Sequence, residues 1–254
     1  MAKKVSVCIA AYNGQLYIDE QIRSVVLALE NLKGWNWEII VSDDKSTDNT
    51  IQRVLSFVEN TNVRVVNGPR LGIGKNFENA IKHSTGDYIY FADQDDVWHV
   101  ERITATIDHL ECVDFVVCRA SVVNKNLDIL PGISLKRYRP GAVRNFFSNK
   151  LTGAFLGCRR STLEKIMPFP PGSILHDEWI SVLAPLYGAK FYMVDRELVL
   201  YRRHDKTASS TGGLRRPTME IIFNRFSILF WLCIKLLDEK VRYVKSHFVF
   251  IKKF

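Results

Sequence analysis

The sequence has too few cysteines, too irregularly placed, for a disulfide framework. Its five, Cys8, Cys112, Cys118, Cys158 and Cys233, are odd in number and far apart, with no CxxC pair. That excludes a cysteine-stapled secreted module and leaves small buried hydrophobes in a reducing compartment. Also missing is an apolar run of about eighteen residues or more that would span a membrane. The first residues, Ala2-Lys3-Lys4 and then a short strand-like run, contain no signal-peptide core, so a cytoplasmic protein is expected. No glycine-rich phosphate loop follows the first apolar run, where Ala11-Tyr12-Asn13-Gly14 stands instead. Gly72 and Gly74 do not match a dinucleotide fingerprint in spacing or place. Internal repeats, low-complexity tracts and a linker between halves are absent.

What remains is a globular composition, 47% hydrophobic and 24% charged over 254 residues, long enough to bury a sizeable core. The first half alternates strand and helix patterns. Val5–Tyr12, Trp37–Val41, Val63–Val66 and Tyr88–Ala92 read as strands, apolar on both faces. Helical patterns fill residues 16–32, about 46–59, 74–84 and 99–111. Strands covered on both sides by helices predict a mostly parallel α/β sheet. The second half is less regular: strands are expected at 115–118, 151–158 and 190–194, and a helix at 176–187. Residues 1–212 are read as one domain. Residues 213–254 form a helical appendage, its long stretch at 218–250.

Carboxylates gather where such a sheet binds ligands, beyond the carboxyl ends of its strands. Asp43-Asp44 follows the second strand, and Asp93-Gln94-Asp95-Asp96 follows the fourth. Acids this close do not all ionise cheaply unless a cation lies among them. Hard oxygens suit Mn²⁺ or Mg²⁺, held by one or two carboxylates plus substrate phosphates. The alternative use of Asp93 to Asp96 is capping the next helix.

The pieces "VSVCIAAYNG", "EIIVSDDKSTDNT", "RLGIGKNFENAI", "GDYIYFADQDDVW", "LTGAFLGCRR", "HDEW" and "YRRH" lie in this order over about four fifths of the chain. Together they resemble the family-2 glycosyltransferases, inverting enzymes of the GT-A fold. "FADQDDVW" looks most like the bacterial branch that builds O-antigen and capsule, with rhamnosyltransferases among it. The resemblance implies a GT-A, Rossmann-like sheet, a nucleotide-sugar donor and a polyprenyl-diphosphate-linked saccharide acceptor. dTDP-rhamnose, a UDP-hexose or a UDP-N-acetylhexosamine would be the donor. Residue by residue, Asp44 matches the aspartate that binds the donor base, with Asp43 beside it, and Ala10, Ala11 and Tyr12 match the strand end along base and ribose. Asp93 and Asp95 match the DxD pair, Asp95 as direct metal ligand and Asp93 nearer ribose or sugar, with Asp96 as an outer or sugar contact. Asp177 in "HDEW" matches the general base. The family more often has Glu before that aspartate, so His176 is a departure. His204 matches a loop histidine that touches metal or diphosphate, and Arg202 and Arg203 beside it would balance phosphate charge. Asp177 as a helix cap and His204 as a surface histidine are the plainer readings of those two residues. Arg70 and Lys75 face either the donor or solvent.

The net charge of +8 is concentrated at one end. From Gly213 onward nine Lys and Arg stand against three acids, so that stretch carries +6. Its apolar run from Phe226 to Ile234, mixed with basic residues, suggests a helix lying in a membrane interface rather than a nucleic-acid coat. The resulting expectation is a peripheral protein at the inner face of the cell membrane. A helix packed on the domain, or a dimer face, are the alternatives. Two further readings of the whole chain stay open: a noncatalytic carbohydrate- or membrane-binding relative, and a sugar-phosphate nucleotidylyltransferase. The latter would want a Gly- and Arg-rich loop after the first strand.

Overall fold

The computed structural model describes residues 3–59, 61–133, 135, 137–172, 174–204 and 218–251. Two compact units make up the chain, residues 1–215 and 216–254. The expected boundary at residue 212 lies outside the described residues, as do Arg215, Arg216, Lys252 and Lys253.

The first unit is built on one sheet. Its strands are β1 (Lys4–Ala11), β2 (Asn36–Asp43), β3 (Val63–Asn67), β4 (Tyr88–Asp93), β5 (Val97–Trp98), β6 (Phe115–Val123), β7 (Leu156–Arg159) and β8 (Phe191–Arg202). Across the sheet the order is β3-β2-β1-β4-β7-β6-β8-β5. β1 pairs in parallel with β2 on one side and β4 on the other. The chain therefore winds outward to β3 and then returns across β1, which makes the β1–β4 edge a topological switch point. The register aligns the strand ends there: Ala10 faces Asp93, and Ala11 faces Asp43. The sheet is mostly parallel as expected, but β7 runs antiparallel to both β4 and β6, and β5 antiparallel to β8.

Helices α1 (Ile18–Glu30), α2 (Thr50–Val58) and α3 (Ile73–His83) follow the predicted periodicity. α1 buries Ile18, Ile22, Val25 and Leu29, and α3 buries Phe77, Ala80 and Ile81, the faces their spacing defines. Two short helices, α4 (Ala142–Phe147) and α5 (Arg160–Ile166), were not expected, whereas α6 (His176–Leu186) was. The second unit is a single helix, α7 (Thr218–Ile251).

Three expectations need correction. Residues 99–111 are turns ending in a 3-10 helix, Ile107–Glu111, not an α-helix. Within that stretch Arg102 points into the core and donates to the carbonyls of Phe91 (3.3 Å) and Ala154 (2.6 Å) rather than to solvent. The strand expected at 151–158 begins only at Leu156, because Gly153–Phe155 forms a 3-10 turn. The last strand runs eight residues past Val194 to Arg202; a register irregularity against β6 breaks the alternation that would have revealed it.

Glu38 ties the β1–β2–β3 side together. Its buried carboxylate accepts from Ser6 Oγ (2.7 Å) and from Thr85 N–H (2.6 Å) and faces Lys4 and Arg64, each at 3.1 Å. Burial alone would raise its pKa, but the bonds from Thr85, Ser6 and Lys4 outweigh it and hold the group down to about 2. Glu38→Gln should lower the unfolding free energy at pH 7 by about 1–2 kcal/mol, measured in urea. The folded pKa lies below the ordinary value of 4.5, so the stabilisation is complete above that pH and disappears as pH falls toward 2. The wild-type and variant stabilities should converge over that window.

Candidate active site

The ends of β1, β2 and β4 and the start of α6 surround a cleft of about 380 Å³. Ala10, Ala11, Tyr12, Asp44, Asp93, Asp95 and Asp177 all line it, which brings seven of the residues singled out in the sequence to one place. Each is fixed by a local device. Gln94 pairs with the backbone of Tyr12 at both ends: its Oε1 accepts from the Tyr12 N–H (2.9 Å) and its Nε2 donates to the Tyr12 carbonyl (3.0 Å). The acidic loop after β4 is thereby fastened to the end of β1. Asn76 of α3 donates to the carbonyls of Ser42 (2.9 Å) and Ala11 (3.3 Å), joining the ends of β2 and β1. Asp44 accepts from the Arg70 N–H at 2.7 Å, so Arg70 contributes its backbone there. Lys75 is paired with Glu78 at 2.8 Å.

Asp177 stands in the first turn of α6 and accepts from the Gly153 N–H at 3.1 Å. Gly153 has to be glycine: a Cβ there would lie 1.9 Å from Nε2 of His176. The His176 ring is buried against Phe77 and Phe91, with ring centroids 4.3 and 5.1 Å away. Neither of its ring nitrogens has a hydrogen-bond partner among the described residues. Burial pushes its pKa down to about 3, so the imidazole is neutral at ordinary pH and serves as an aromatic wall of the cleft.

The charge balance explains the arrangement. Burial, then the like charges of Asp95 and Asp177, push the Asp93 carboxyl up to about 7, against a smaller opposing pull from Arg102. Asp96 is also raised well above its ordinary value, by burial and then by Asp95 and Asp93. Arg102, fully buried and stacked 3.6 Å over the Trp98 ring, is a fixed counter-charge that lowers both Asp93 and Asp96. Sequence reading missed it, because a charged residue in an apparent helix reads as solvated.

Several expected contacts take other partners. Asp43 is buried and accepts from the Ser46 N–H (2.9 Å) and hydroxyl, closing the turn after β2. Asp96 lies beneath the cleft and accepts from the Arg202 N–H at 3.0 Å. The Arg202 side chain is also buried rather than open to a phosphate. It donates to the carbonyls of Asp95 and Lys125, both at 2.7 Å, pairs with Glu20 and stacks on Tyr17. It shapes the acidic loop from behind. Arg203 is half-buried, its N–H on the Val123 carbonyl at 2.8 Å. His204 Nε2 lies 2.8 Å from Asp95 Oδ2.

Among the described residues no group of three or more His, Cys, Asp or Glu side chains could hold a metal ion by itself. The set instead fits a hard cation shared with a substrate. Asp95 Oδ2 and His204 Nε2 are hydrogen-bonded to each other, an oxygen and a nitrogen that would become ligands if a cation displaced the shared proton, and the crowding that raises Asp93 is charge a cation would offset.

Known proteins share the sequence pattern and the fold. The profile described as Glycosyl transferase family 2 matches residues 6–167. The dTDP-rhamnosyl transferase RfbG of Shigella flexneri is 28% identical over 77% of this chain and 71% of its own length. WfgD of Escherichia coli, a UDP-Glc:alpha-D-GlcNAc-diphosphoundecaprenol beta-1,3-glucosyltransferase, is 26% identical over 70% and 69%. In fold, the chain matches S. aureus TarS 1-349 in complex with UDP-GlcNAc with a TM-score of 0.64 at 20% identity, over 92% of this chain and 66% of that one. The mannosyltransferase PcManGT from Pyrobaculum calidifontis, in complex with GDP-Man and Mn²⁺, gives 0.60 at 18% identity over 81% and 59%. At such identities these structures establish the GT-A fold alone.

The Arg202 clamp gives a stability test. Arg202→Met removes charged hydrogen bonds to buried carbonyls and should cost about 3 kcal/mol in chemical denaturation. Glu20→Gln should cost less than about 1 kcal/mol, because Glu20 is half exposed. Equal losses would mean that the ion pair, not the carbonyl contacts, carries the clamp.

Proposed function

The chain belongs to glycosyl transferase family 2, and from that membership we propose that it transfers one sugar, with inversion, from a nucleotide sugar to a saccharide on a lipid diphosphate. The observation that carries this reading is the convergence of Asp44, Asp93, Asp95 and Asp177 on one cleft. dTDP-rhamnose, a UDP-hexose or a UDP-N-acetylhexosamine is the proposed donor, in keeping with what RfbG, WfgD and TarS are named for. A lipid-diphosphate acceptor is in keeping with the reaction that WfgD is named for, and O-antigen or capsule synthesis is the proposed setting.

Asp44 holds the donor base while the backbone from Ala10 to Tyr12 lines base and ribose. Asp93 meets the ribose or sugar. Asp95, with His204 beside it, would hold Mn²⁺ or Mg²⁺, which when bound neutralises charge on the departing diphosphate. Asp177 accepts the proton of the attacking hydroxyl as the new bond forms on the opposite face of the anomeric carbon. The Gly153 N–H helps to fix the orientation of that carboxylate. His176, neutral and apolar in its packing, adds no competing base.

The second unit suits a membrane surface. Phe223, Phe226 and Phe230 of α7 are exposed, and the sequence from residue 213 carries +6. Among the described residues no helix is long and apolar enough to cross a membrane. An interfacial helix would keep the enzyme at the inner face of the membrane with its lipid-linked acceptor.

A transfer assay with candidate nucleotide sugars and a GlcNAc-diphosphate lipid tests the chemistry. EDTA should abolish turnover and Mn²⁺ or Mg²⁺ should restore it; full activity in EDTA would remove the metal role from Asp95. Asp177→Asn should leave nucleotide binding intact and lower turnover by about 10²-fold or more. Wild-type turnover in that variant would put the base elsewhere. For the helix, the full chain should sediment with phosphatidylglycerol vesicles, and the Phe226→Glu/Phe230→Glu chain should stay in the supernatant. Equal sedimentation would argue against interfacial binding.

A further inference from the structure

A second cavity, of about 580 Å³, opens between β6, β8 and the loop that follows β6. Thr152 lines both this cavity and the cleft. The next residue, Gly153, donates to Asp177. One residue therefore separates the second cavity from the proposed base.

Its floor exists because the β6–β8 pairing is irregular. Val117 faces Met193, Arg119 faces Glu197 and Ala120 faces Val199, so β8 bulges outward over this stretch. The bulge presents a polar network. Arg119 spans Asp195 (3.1 Å) and Glu197 (3.3 Å), and Ser121 Oγ donates to Glu197 Oε2 at 2.6 Å. Ile129, Leu130 and Ile133 form an apolar wall, and the exposed cations Arg137 and Lys150 also line the space. Half-exposed hydrogen-bonding side chains beside an aliphatic wall suit a sugar ring, whose hydroxyls point outward around apolar C–H faces. Guanidinium and ammonium groups suit a diphosphate. The first cleft differs: its carboxylates repel an anion that brings no cation with it.

We infer that this second cavity holds the acceptor, a saccharide joined to a diphosphate. The sugar ring lies on the Arg119–Glu197 network, the diphosphate lies at Arg137 and Lys150, and the reacting hydroxyl passes Thr152 toward Asp177. The inference rests on the transferase reading above and adds to it the residues that select the acceptor.

The test measures binding, independent of turnover, with N-acetylglucosamine diphosphate on a short alkyl chain as the probe. Saturation-transfer NMR reads the probe, and calorimetry reads UDP and dTDP in the first cleft. Ile133→Trp fills the cavity, and Arg137→Glu/Lys150→Glu reverses its cations; all three residues lie outside the first cleft and none is buried. Both variants should bind the probe about tenfold or more weakly than wild type while nucleotide affinity stays within about twofold. Unchanged probe affinity in both variants would overturn the assignment. So would loss in the charge-reversed protein alone, since the cations would then attract an anion without the cavity holding its sugar. Wild type that binds nucleotide but not the probe overturns the acceptor site and leaves the transferase reading standing. Wild type that binds neither overturns both.

Discussion

Three carboxylates stand within four residues at the end of a buried strand, and much of this molecule serves to make that tolerable. Like charges in a low-dielectric setting repel strongly, and Asp93 and Asp96 are both pushed toward their neutral forms. The fold answers from two directions. Arg102 is drawn into the core close enough to pull on both acids. Arg202 comes from the end of β8 and grips the same loop through the Asp95 carbonyl and the Asp96 carboxylate. Among the described residues that line the cleft there is no Lys or Arg. The excess negative charge faces the space where a substrate diphosphate and its metal would lie, and the protein leaves its completion to the ligand.

Sheet order decides which residues share that space. Because β1 lies between β2 and β4, the ends of three strands that are distant in sequence come within a few residues of one another. Gln94 and Asn76 then fasten those ends through backbone contacts, which hold the geometry without consuming a carboxylate. The antiparallel β7 brings the second half of the chain up to β4. The turn before it carries Gly153, and through Gly153 the position of Asp177 depends on a glycine that only His176 explains. His176 itself acts in packing: its neutral ring lies between Phe77 and Phe91.

The amino-acid sequence alone was sufficient for the parallel core, the acidic strand ends and the family, because strand and helix periodicity and the spacing of "FADQDDVW" are local properties. It also singled out seven cleft residues by type and place. What it left undecided was which acids face a ligand and which face the protein. Asp43 and Asp44 are neighbours of the same chemistry, yet one closes a turn with Ser46 and the other lines the cleft. Asp96 and Arg202, expected on the donor, hold each other, and Arg102, which no sequence motif singles out, serves core carbonyls. The length of β8 was hidden by a bulge, and with it the second cavity, which no sequence pattern marks. Side-chain direction and long-range pairing set these outcomes; they depend on contacts between residues far apart in the chain, and so only the folded structure fixes them.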